Sequence, residues 1–171
     1  MATQSPITAL SKYFPVIEGI VITAFAVGYI FKIMHYAGSN ELIIISLSVL
    51  SGIYFLGAYV PPGPSREAGE RKPQLGFVTL LGISIVPKIL GISLSVSVIG
   101  ILFYLMHFNG FREMLLIGST TLAGATLVGW FVTSSNEPTR QGLKPLLIRA
   151  LVLMSVGFYL LIKYGISSPM N

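Results

Sequence analysis

The sequence predicts an all-α integral membrane protein: a tandem repeat of two transmembrane helical hairpins, followed by a fifth transmembrane helix. Three observations lead there. Apolar residues make up 53% of the chain and charged residues only 10%, with a mean hydropathy of +0.80; an ordinary soluble domain carries roughly 25% charged residues. Five apolar runs, 15–35, 41–60, 87–108, 113–132 and 145–164, each reach the roughly 20 residues a helix needs to cross a bilayer core. Finally, residues 14–59 return at 86–131, in register and without a gap. Pro15, Ile17, Gly19 and Ile20 answer to Pro87, Ile89, Gly91 and Ile92, and Phe31, Met34, His35, Gly38 and Glu41 to Phe103, Met106, His107, Gly110 and Glu113. Leu50, Gly52 and Gly57 recur as Leu122, Gly124 and Gly129. Self-similarity of this kind is the signature of a duplicated structural unit.

Taken in order, residues 1–62 form the first hairpin, 63–75 a loop, 76–132 the second hairpin, 133–144 another loop, and 145–171 the fifth helix with a short tail. The segment Met1–Tyr13 leads into a run too long for a signal-peptide core, so the first helix is expected to be an uncleaved anchor. The turns at 36–40 and 109–112 are so short that the helices they join must be antiparallel neighbours. Gly38 and Gly110 fall just past a helix end, where a left-handed cap suits glycine. Glu41 and Glu113 then sit in the first turn of the following helix, where the dipole favours negative charge. Both 61–74 and 133–143 read as polar loops rich in Pro, Gly and Ser. The apolar stretch 76–86 is either an interfacial lead-in or an extension of helix three kinked at Pro87.

Charge sets the expected orientation. Lys12, Arg66, Arg71, Lys72, Lys88, Arg140, Lys144 and Arg149 flank the N-terminus and the two long loops, against Lys32, Arg112 and Lys163 on the opposite side. This bias predicts a cytoplasmic N-terminus, outward-facing turns and a periplasmic C-terminus. Basic residues stand at the ends of apolar runs rather than in a cluster, so the net charge of +5 predicts topology and no nucleic-acid partner. The absence of cysteine excludes disulfides, thiolate metal sites and thioether haem attachment. Small residues four apart (Ala24 and Gly28, Ser48 and Gly52, Ser93 and Ser97, Thr120 and Gly124) predict close helix packing, chiefly within the chain.

The candidate functional residues are few. Glu18 is the one acid well inside an apolar run, although its repeat-mate is Leu90. An ionisable group in a membrane span is a functional candidate by default; an ion pair with Arg149, Lys88 or Lys12 is the structural alternative. Lys32 stands near the outer end of helix one, with Tyr104 as its repeat-mate. The repeated Met-His-x-x-Gly-x-x-Glu places His35 and His107 at equivalent helix ends. Three readings are open for them: each locks its own turn, they join Lys32, Glu41, Glu113 and Glu18 in an ion path, or both ligate a haem b across the repeat axis. No nucleophile–base pair, phosphate loop or metal-spacing cluster accompanies them, so no enzyme is expected.

The stretch Phe31-Lys32-Ile33-Met34-His35-Tyr36-Ala37-Gly38, with Asn40-Glu41-Leu42, resembles the transmembrane hairpin of the GldL family. Those proteins are inner-membrane stator subunits of the gliding-motility and type IX secretion motor of Bacteroidota. The resemblance covers about 45 residues of the first repeat, and the second is similar with Tyr104 in place of the lysine. It implies a bacterial inner-membrane location, and polar residues including the Lys and His that take part in harvesting a proton gradient. The family's acid within the second helix has no counterpart, since neither 42–60 nor 114–132 contains one. The chain is therefore expected to be a non-catalytic subunit, in contact with lipid and with other membrane-protein subunits. A proton- or ion-conducting stator-like role and a haem-bearing electron-transfer role are the alternatives.

Overall fold

The computed structural model describes residues 13–59, 85–135 and 137–165. Within them the fold is all-helical: α1 Phe14–Ile33, α2 Ser39–Gly57, α3 Val86–Leu105, α4 Phe111–Ser135 and α5 Glu137–Gly165. Each is long and apolar enough to cross a membrane. α1 and α3 both begin with a proline in the first turn, Pro15 and Pro87. A missing N–H is harmless there because no intrahelical acceptor exists for it. The expected loop at 63–75, and most of 76–86, lie outside the described residues; α3 starts at Val86.

Both short turns have the same backbone. Helix α1 is capped by Met34, and His35 follows in the left-handed region at φ +57°. The Tyr36 amide then donates to the Phe31 carbonyl at 2.9 Å and the His35 amide to that of Lys32 at 3.2 Å. These are the two hydrogen bonds of a Schellman cap, and the Tyr36 ring packs edge-on to Phe31 at 5.5 Å as that motif favours. The second turn repeats it: His107 at φ +56°, Phe108 to Phe103 at 2.9 Å, His107 to Tyr104 at 3.2 Å, and the Phe103 and Phe108 rings 5.5 Å apart. The left-handed capping residue is thus histidine, not the glycine expected. Gly38, at φ +84°, is instead the residue that opens α2, and Gly110, at φ +85°, holds the same place before α4. Helices α1 and α3 accordingly end two or three residues before their apolar runs do.

A second departure lies at 133–144, expected to be a loop. Residues 133–135 continue α4 and 137–144 belong to α5, which passes through Pro145. Polar composition misleads here because Glu137 and Pro138 are good first-turn residues. A polar helical turn is also free to extend beyond an apolar span.

Packing follows chain order, α1 on α2, α2 on α3, α3 on α4 and α4 on α5, with α5 folding back onto α3. α3 is the most enclosed helix and α1 the most exposed. The seams are set by small residues. A Cβ at Gly28 would lie 3.2 Å from Ile43 Cγ1, and one at Gly100 would lie 3.2 Å from the Leu115 amide. Gly100 and Leu115 are the repeat-mates of Gly28 and Ile43, and both partner side chains are fully buried. Between the hairpins, α2 closes on α3 so tightly that a Cβ at Gly91 would sit 2.7 Å from Ala58 Cβ. Two of the four small-residue stripes, at Gly28 and at Ser93–Ser97, serve these seams. The other two face outward, with nothing within 4 Å of a Cβ at Gly52 or Gly124.

Candidate functional site

A buried polar cluster joins α1, α2 and α5. α1 brings Glu18 one turn past Pro15 onto its inward face, where it is buried. Arg149 of α5 reaches it, with Nη2 2.7 Å from Oε2. The Tyr54 hydroxyl of α2 donates to the other carboxylate oxygen, Oε1, at 2.8 Å. Of the three basic residues considered as partners for Glu18, Arg149 is the one in contact, while Lys88 is exposed and Lys12 lies outside the described residues. Both carboxylate oxygens are engaged and the charge is matched, which is what a buried carboxylate requires. The arginine side chain remains 37% exposed, so the cluster opens to the surface on the α5 side.

Tyr54 was not singled out from the sequence, yet a signal existed. Glu18 and Tyr54 depart from the repeat together, since their mates are Leu90 and Thr126. Two positions that differ together from their counterparts are a hint of mutual contact.

Lys32 does not reach out of the bundle. Its Nζ donates to the main-chain carbonyl of Leu105, the last residue of α3, at 2.5 Å. That carbonyl is one of the four a helix end leaves unpaired, and a cation suits the negative end of the dipole. Lys32 therefore ties the turn end of α1 to the turn end of α3. Its repeat-mate Tyr104 instead packs its ring on Phe111 at 5.7 Å.

His35 and His107 are both exposed and sit on the turns, and among the described residues neither imidazole has a hydrogen-bond partner. What their shared position shows is a backbone role. Glu41 and Glu113 are exposed in the first turns of α2 and α4. The structure thus brings Glu18 together with Tyr54 and Arg149, and sends Lys32, the histidines and the other two acids to the far end.

Further polar groups line the core. Ser51 Oγ and Ser95 Oγ are 2.7 Å apart across the α2–α3 seam. Ser97 and Ser119 carry buried hydroxyls with no partner among the described residues. Each is a small side chain at a close approach, Ser97 against Gly118 and Ser119 against Gly157. No cluster of three or more His, Cys, Asp or Glu side chains able to hold a metal occurs among the described residues.

No family model, curated protein or solved structure matches the chain.

Proposed function

We propose that this chain is a non-catalytic, multi-pass subunit of a larger membrane complex, built by duplicating one helical hairpin and resident in a bacterial inner membrane. The observation that carries the reading is how its polar groups are used. Glu18 is consumed by Tyr54 and Arg149, Lys32 by a helix end, and Ser51 by Ser95, so each serves to hold one helix to another. The paired turns and the paired Gly28–Ile43 and Gly100–Leu115 seams support duplication. The apolar surface of α1, with Val16 and Ile20 more than 60% exposed, is what a subunit would offer to lipid and to neighbours. Gentle native purification from the source membrane tests this. A fixed stoichiometry with other membrane subunits is the expected result, and a chain that purifies alone rejects it.

Conduction of protons or ions, the stator-like alternative, rests on Glu18 as a buried acid whose arginine partner is partly exposed. Reconstituted into liposomes, a conducting chain would lose flux on Glu18→Gln; equal flux in the wild type and the variant removes this alternative. Two exposed turn histidines with a capping role give the haem reading no support, and a Soret band in the purified protein would be needed to revive it. The GldL relationship rests on Phe31, Lys32, His35 and Gly38, which act here in helix termination and inter-helix tethering.

A further inference from the structure

We infer that the open face of α1 around Gly19 and Thr23 is the seat of a transmembrane helix from a different polypeptide, running antiparallel to α1. The inference deepens the subunit reading and rests on it. A shallow apolar groove of about 680 Å³ runs along this face, lined by Val16, Gly19, Ile20, Thr23, Val27 and their neighbours. Its counterpart in the second hairpin is already filled. Gly19 and Thr23 correspond to Gly91 and Ser95 of α3, and there α2 lies against the helix. Ala58 and the Tyr54 carbonyl press on Gly91, and the Ser51 hydroxyl meets that of Ser95. Contacts pair rising numbers on α2 with falling numbers on α3, so the two run antiparallel. Among the described residues no helix meets Gly19 as α2 meets Gly91. Nothing among the described residues lies within 4 Å of where a Cβ at Gly19 would be. Glycine weakens a helix and no described residue requires it at this position. The other end of the array is not open in the same way, because α5 covers α4 with Gly157 against Ser119.

The filled seam states what the missing helix must carry. Ser51 precedes Ala58 by two turns, so the occupant needs a hydroxyl residue facing Thr23 and a small residue two turns later facing Gly19. A second copy of this chain does not offer that pair. Copies in one membrane share their orientation, leaving α2 and α4 as the antiparallel candidates. On their open faces Ser48 is followed two turns later by Phe55, and Thr120 by Leu127.

The full chain, expressed in its source membrane with benzoylphenylalanine at Val16, Ile20 or Val27 in turn, is irradiated and the adduct peptides are sequenced. One transmembrane helix of a different protein should carry all three adducts, in reversed order along its sequence, with the hydroxyl and small residues two turns apart between them. Gly19→Leu should deplete that protein from the purified complex by at least tenfold, while Gly52→Leu, also on an open face, leaves it in place. Circular dichroism should show both variants folded, since neither position meets a neighbour among the described residues. Adducts to phospholipid alone, to a second copy, or to a helix in parallel order overturn the inference. So does full retention of the partner by Gly19→Leu, and that outcome leaves the subunit reading intact. A wild-type chain that purifies with no partner removes both.

Discussion

Glu18 is buried in an apolar bundle where two other helices each supply its carboxylate with a donor. The cost of disturbing that arrangement is asymmetric. Removing one partner of a buried pair strands the other, whereas replacing both with apolar residues is often neutral. Arg149→Met should therefore lower stability by about 1–3 kcal/mol, below the ~3–5 kcal/mol of a fully buried pair because the guanidinium is partly exposed. The double variant Glu18→Leu/Arg149→Met should recover most of the loss, since leucine already fills the equivalent position at Leu90. Tyr54→Phe, which removes one hydrogen bond, should cost about 1 kcal/mol. Reversible unfolding in detergent, run as a double-mutant cycle, measures all three. An Arg149→Met variant as stable as wild type would show that the pair holds nothing together.

At the scale of the element, the two histidines change meaning. In the sequence they stand out as chemistry, because histidine in a membrane protein is scarce and both copies keep it. In the fold each is the residue that turns the chain left-handed after a helix, a position glycine fills best and histidine tolerates better than most L-residues. Capping makes a prediction that proton or haem chemistry does not. His35→Gly and His107→Gly should leave stability unchanged or raise it by up to about 1 kcal/mol, while His35→Val should lower it by about 1–2 kcal/mol. Thermal unfolding of the three variants checks the order; a glycine variant less stable than the valine one would contradict it. The same turns show how local rules mislead by a few residues. A glycine near a helix end was legible, but whether it closes one helix or opens the next depends on which residue takes the positive φ. That choice turned on the aromatic pairs Phe31–Tyr36 and Phe103–Phe108, whose contact completes the cap.

For the whole molecule, the five apolar helices and the antiparallel neighbours were legible because hydrocarbon thickness and turn length leave few alternatives. The Glu18–Tyr54–Arg149 cluster was only half legible, since its members are far apart in sequence and only packing order brings α5 back to α1. What the structure adds to orientation is that both short turns lie at one end of the bundle. Lys32 at the end of α1 bonds the end of α3, so Ala37 and Asn109 share that end, while Ser134 belongs to the opposite end of α4. Basic flanks predict that the turn end lies outside the cytoplasm, and a chain without cysteine lets that be tested one site at a time. In intact bacterial cells a membrane-impermeant maleimide should label Ala37→Cys and Asn109→Cys, all three sites being exposed, and should label Ser134→Cys only after permeabilisation. The reverse pattern would mean that the loop charges do not set the topology. Labelling of one turn without the other would separate the hairpins onto opposite sides, and the Lys32–Leu105 tether could not then exist in the membrane.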